Sequence, residues 1–112
     1  MNRECMDDLL KRVDDFSGYV TELVGWIKEK GREFPHTEDL LGCTRGICDA
    51  VRDAGRSLSI SKEGYAEAQG RMDEFCRLMG LLVKTGVLTE IQSKPLLSEC
   101  MSIREEIAGL LK

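Results

Sequence analysis

The side chains best equipped for chemistry in this chain are five cysteines, Cys5, Cys43, Cys48, Cys76 and Cys100, and a single histidine, His36. A zinc knuckle or a redox dithiol motif places two cysteines two residues apart, so that both sulfurs reach one metal or each other. No pair here has that spacing, and the count is odd. Most of the five fall on or near apolar faces, where a reduced thiol packs as a small hydrophobe. Cys43 and Cys48, five residues apart, would need Cys76 or Cys100 to join them before they made a soft-metal site, and core packing explains them more simply. His36 stands beside Pro35 in an expected loop and has no identifiable partner. A Ser/His/Asp or Cys/His nucleophile therefore cannot be assembled, nor can the paired Glu-x-x-His set of a di-iron bundle. No phosphate-binding glycine loop follows a strand, because no strand is expected. The expectation is a protein with no catalytic residue, no metal and no cofactor.

Two other patterns point to contact rather than reaction. Gly18 and Gly25 are seven residues apart, and Tyr19 and Trp26 repeat the same spacing beside them. Each glycine inside a helix costs about 1 kcal/mol relative to alanine, a sizeable loss against a total stability of roughly 5–15 kcal/mol. A shallow glycine groove flanked by two aromatic rings suits the close approach of another subunit, since Tyr and Trp are enriched at contact surfaces. The simpler alternative is a weak outer helix face with two half-exposed rings. Arg45, Arg52 and Arg56, spaced by seven and four residues, share one side of a second helix with Asp49 and Asp53 close by. They form either a cationic stripe for phosphate or an acidic partner, or a solvated face laced with ion pairs one turn apart.

These residues need elements to position them, and the composition allows only one kind. The chain has 112 residues, 42% of them hydrophobic and 32% charged, with a formal net charge of −4. That suits one helical domain, residues 1–112, with a real core. A mildly acidic balance does not favour non-specific wrapping of nucleic acid, although it leaves room for a local basic patch. No run of eighteen apolar residues is present, so no membrane span is expected, and the acidic start resembles no secretory signal. A cytoplasmic protein is the expectation.

Helical periodicity runs from end to end. From about Cys5 to Lys30, Met6, Val13, Val20 and Ile27 recur every seven residues, with Leu9, Phe16 and Leu23 as the partner row and Leu10 and Val24 widening it. The polar stripe left over is narrow, which a helix covering a single core does not require. Gly31 ends this helix. Thr37 is the expected N-cap of the next, with Glu38 and Asp39 favoured by the helix dipole in its first turn. Leu40, Leu41, Thr44, Ile47, Cys48, Val51 and Ala54 mark its inward face, to about Arg56. After a linker at residues 57–61, Ser61 caps a third helix carrying Tyr65, Ala68, Met72, Phe75, Met79 and Leu82, which Gly86 ends. Thr89 to Gln92 reads as a capping box. Pro95 predicts a break, with one turn near Thr89 and a restart near Ser93. The last helix presents Leu96, Cys100, Ile103, Ile107 and Leu110, with Leu97, Met101 and Leu111 beside them. Short loops make consecutive helices antiparallel neighbours. The fold class is all-α, an antiparallel up-down-up-down four-helix bundle.

The stretch from Leu40 to Ala54, with Ile47, Val51, Arg52, Asp53 and Ala54 in the matching places, resembles a segment of the small bacterial four-helix-bundle proteins, also called the 23S rRNA intervening-sequence protein family. Residues 81–90, followed by Leu96-Leu97-Ser98-Glu99-Cys100, are similar to that family's Leu-Leu-Lys-x-Thr-Gly-x-Leu-Thr turn and final helix. Where the family has a small Ser-Gly-Thr-Ser patch, this chain has Cys43-Thr44-Arg45-Gly46. The resemblance implies a homo-oligomer, commonly a five-fold barrel of bundles (a pentamer), without enzymatic activity. A related accessory protein of diversity-generating retroelements, strongly basic where this chain is acidic, works with a reverse transcriptase and nucleic acid.

Three functions are thus open. The first is a non-catalytic homo-oligomeric scaffold acting through protein contacts at Gly18, Tyr19, Gly25 and Trp26. The second is a nucleic-acid-binding accessory protein of a reverse transcriptase or rRNA-associated element, using Arg45, Arg52 and Arg56 repeated around a ring. The third is a small helical enzyme for an anionic substrate, for which no inward-facing charged set can be named.

Overall fold

A computed structural model describes residues 2–111. Four helices account for nearly all of them: α1 (Arg3–Glu29), α2 (Thr37–Ser57), α3 (Lys62–Lys84) and α4 (Glu90–Ala108). α1 starts where the Asn2 side chain accepts a hydrogen bond from the Cys5 N–H at 2.8 Å. It ends in a Schellman turn: Arg32 N–H donates to the Ile27 carbonyl at 3.2 Å and Gly31 N–H to that of Lys28 at 3.1 Å. Gly31 can close that turn because its φ is 65°. α3 ends in the same way, with Gly86 at φ 79° and Val87 N–H donating to the Leu82 carbonyl at 2.9 Å.

At two places, the start of α2 and Pro95, the local structure departs from the expectation, and the end of α2 is unusual in itself. α2 begins one residue earlier than a Thr37 cap implies. His36 occupies the cap position without a side-chain capping bond, and its carbonyl accepts the first helical hydrogen bond, from Leu40 N–H at 3.0 Å. The left-handed residue closing α2 is Leu58, at φ 56°, rather than a glycine. A bulky residue there is strained by roughly 1–2 kcal/mol, and the packing of Leu58 against the core holds it in place. Finally, α4 runs unbroken through Pro95. The proline withholds one N–H, the one that would have met the carbonyl of Ile91. Ile91 is 84% exposed, so water is at hand to take its place. The Thr89–Gln92 capping box is intact on both sides (2.9 and 3.1 Å), and it nucleates the turn that Pro95 would otherwise interrupt.

Each helix packs on the next, and α4 returns to α1. Cross-helix pairs fix the directions. Asp14 and Lys28 of α1 meet Arg52 and Glu38 of α2, so the two helices run antiparallel. The core is continuous along the bundle, with Phe16 of α1 edge-on to Phe75 of α3 at 5.2 Å. The expected inward rows are buried with few exceptions. Met101 is 48% exposed, because α4 turns only its Cys100–Ile103–Ile107 side inward, and Leu111, beyond the end of α4, is 39% exposed. The two buried polar side chains are satisfied by their own helices: Thr44 Oγ1 donates to Leu41 O at 2.8 Å and Ser93 Oγ to Glu90 O at 3.0 Å. Beyond α4, Leu110 O accepts the Ile60 N–H at 2.9 Å, pinning the α2–α3 linker. Among the described residues no helix is long and apolar enough to cross a membrane.

Candidate interaction surfaces

Most of the wide apolar arc of α1 is used inside its own chain. Met6, Leu9, Val13, Phe16, Val20, Val24 and Ile27 are all buried, while Leu10 and Leu23 are half-buried against the same core. The arc is as broad as it is because α1 is flanked by both α2 and α4. What remains outside is Tyr19, 58% exposed, and one side of Trp26, whose ring also rests on the core. Gly18 and Gly25 are exposed, and a Cβ added at either would meet no atom within 4 Å. The fold of one chain therefore does not explain either glycine, and the same is true of Gly70 and Gly80 on α3.

Tyr19 lines a groove of about 580 Å³ between α1 and α4, together with Phe16, Pro95 and Leu96, with Arg12, Asp15 and Glu99 also on its wall. The sequence pattern paired Tyr19 with Trp26; in space it shares a groove with Pro95 and Leu96 on another helix. The antiparallel register that sets Tyr19 by Pro95 carries α4 back towards Ile91 at the Trp26 end. Ile91 lies off the inward row of α4, which is the one sequence signal that it faces out.

Arg12 closes the wall of this groove, and nothing in the sequence singled it out. Its guanidinium donates to Glu99 Oε1 from Nε at 3.0 Å and from Nη2 at 2.7 Å, to Ser102 Oγ at 2.7 Å, and to Glu106. The bond to Glu99 does most to raise the Arg12 pKa, against partial desolvation, so the fork stays charged. Its partners lie 87 to 94 residues away, beyond the reach of any local pattern.

The α2 arginines are divided in their contacts. Arg52 bonds Asp14 of α1 at 3.0 Å and approaches Asp49 at 3.8 Å, and Arg56 pairs with Asp53 at 3.4 Å. Arg45 is exposed and makes no ion pair among the described residues, so the anticipated Arg45–Asp49 pair is not formed. Arg52 and Arg56 line an open groove of about 780 Å³ between α2 and α3, joined by Arg71, whose stem fills the space a side chain at Gly46 would need: a Cβ added there would stand 3.0 Å from it. Asp49, Asp53 and Glu67 share the same walls, so the groove is mixed in charge. Such exposed pairs contribute little to stability.

Cys43, Cys48 and Cys100 are buried, Cys76 is half-buried and Cys5 is exposed, and none is in a disulfide. Burial pushes the Cys43 and Cys48 thiols up, away from reactivity at neutral pH. His36 Nδ1 lies 3.0 Å from Asp39 Oδ2, with its ring edge-on to Phe34. Among the described residues no three His, Cys, Asp or Glu side chains are grouped to hold a metal ion.

This architecture is that of an all-α four-helix bundle, four helices packed in a closed ring around one core. The chain is similar in structure to a protein of unknown function from the S23 ribosomal protein family of Bacteroides thetaiotaomicron. The two share a TM-score of 0.80 over 93% of this chain and 95% of the other, at 16% sequence identity. No family model and no curated protein matches the chain.

Proposed function

We propose that the protein is a non-catalytic homo-oligomeric helical scaffold, joined through the outer side of α1 at Gly18, Tyr19, Gly25 and Trp26. The observation that carries this reading is Tyr19. The apolar rows of α1 beside it are packed into the core, yet its ring stands 58% exposed over an apolar groove. Helical glycines whose neighbourhoods are empty in a single chain allow a second backbone to come close. The structural likeness to a family-S23 protein supports the bundle fold alone; self-association, five-fold in form, is what the sequence resemblance implies. Light scattering at micromolar concentration tests it: the wild type is expected at a multiple of 12.6 kDa, and Tyr19→Glu at lower mass with unchanged helical circular dichroism. A clean monomer for the wild type overturns the proposal.

A nucleic-acid-binding accessory role is the second reading, and Arg45 favours it, since no carboxylate among the described residues neutralises it. A gel shift of RNA or DNA at about 50 mM salt, the favourable end of the range for phosphate contacts, is expected under this reading and lost in Arg45→Ala. No shift at that salt removes it.

A further inference from the structure

Cys76 and Cys100 are far apart in sequence and face each other in the fold. Asp73 of α3 and Arg104 of α4 are joined at 2.8 Å, which fixes the antiparallel register of the two helices. Cys76 lies three residues after Asp73 and Cys100 four residues before Arg104. In antiparallel helices both steps lead one turn along the seam in the same direction, which brings the two residues side by side, where each thiol acts on the other's ionisation. Cys100 is 1% exposed, whereas Cys76 is half-buried and open to a small reagent. No other thiol has this combination of a second thiol beside it and partial access: Cys43 and Cys48 are buried, and Cys5 is exposed at the other end of the sequence.

We propose that Cys76 and Cys100 form a peroxide-oxidisable pair, with Cys76 as the attacked thiol and Cys100 as the resolving one. The electrostatics agree with this division of roles. The hydrogen bond with Cys100 lowers the Cys76 pKa to about 7, against the opposing effects of desolvation and Asp73 and with help from Arg104. The same contact and burial push Cys100 up, so it keeps its proton and donates it. Thiolate character with partial access is what selects one cysteine for oxidation over others.

The chemistry balances in two steps. The Cys76 thiolate attacks one oxygen of hydrogen peroxide, the O–O bond breaks, and the hydroxide released takes up a proton, leaving a sulfenic acid and one water. The Cys100 sulfur then attacks the Cys76 sulfur and the S–O bond breaks. The departing hydroxide takes the Cys100 proton, giving the disulfide and a second water. The two thiols together lose two electrons, and peroxide is reduced to water.

Peptide mapping of the intact protein tests the inference. Cleavage after Arg71, Arg77, Lys84 and Arg104, with the Lys94–Pro95 bond resisting trypsin, places Cys76 in peptide 72–77 and Cys100 in peptide 85–104. After stoichiometric peroxide the expected product is these two peptides joined and lighter by two hydrogens. Cys100→Ala is expected to stop at a Cys76 sulfenic acid, trapped by dimedone, and Cys76→Ala to give neither product. Oxidation confined to Cys5, or loss of Cys76 no faster than of Cys43 and Cys48, overturns the inference, and the wild-type map alone decides it should a variant fold poorly.

Discussion

A single arginine does more to seat α4 than the apolar rows suggest. Arg12 serves two glutamates and a serine on α4, Glu99, Ser102 and Glu106, which stand on successive turns of one helix face. Removing it leaves Glu99 and Glu106 as neighbouring anions with no shared cation. Arg12→Ala is expected to destabilise the fold by about 1–2 kcal/mol, already reduced for solvent screening because the groups are about a third exposed. Urea unfolding with and without about 1 M salt checks it, since screening should shrink the difference. Arg12→Lys should recover only part, because an ammonium cannot reproduce the guanidinium fork. No loss in Arg12→Ala would mean the network is ornamental. The cysteine pair belongs to the same class of feature. Arg12–Glu99 and Cys76–Cys100 both rest on inter-helix register, to which the spacing of residues along the chain is blind.

At the level of the helix, periodicity carried the reading well and local exceptions did not. The rows Met6–Val13–Val20–Ile27 and Ala68–Met72–Phe75–Met79–Leu82 are buried as their spacing implies, because burying an amphipathic stripe dominates over local preference. The Thr89–Gln92 box and the Ser61 cap, whose Oγ accepts the Gly64 N–H at 3.0 Å, were legible for the same reason: each is a short-range bond with its own residue signature. Pro95 misled because its penalty, the loss of one N–H and a clash with the preceding turn, falls in the second turn of α4 on its exposed side, where the capping box and the packing of the rest of the helix outweigh it. Its loss should therefore help the helix. Pro95→Ala is expected to raise stability by about 1–3 kcal/mol by restoring a donor for the Ile91 carbonyl. Thermal unfolding reads this directly. An unchanged or lower midpoint would show that Pro95 is needed where it stands beside Tyr19.

For the whole molecule, stability and association make opposite demands on α1, and one substitution separates them. Gly25→Ala is expected to stabilise the isolated bundle by about 1 kcal/mol, since alanine is the better helix former and its Cβ would meet no atom of the chain within 4 Å. The same side chain should obstruct a second subunit at that face. Denaturation and sedimentation, measured together, should move in opposite senses. A variant that is both more stable and equally associated would remove Gly25 from the contact. The candidate face was only half legible in the sequence: Tyr19 and the glycines announced themselves by spacing, but Pro95 and Leu96 joined Tyr19 only when α4 was laid alongside α1.

The hydrogen bond from Ile60 to Leu110 joins the middle of the chain to the far side of α4. One amide proton is thereby made a reporter on docking some fifty positions further on. While the clasp holds, deuterium should enter at Ile60 slowly. When α4 lifts away, that proton is freed at the moment of separation, and its exchange rate reads out the opening of the bundle at that end.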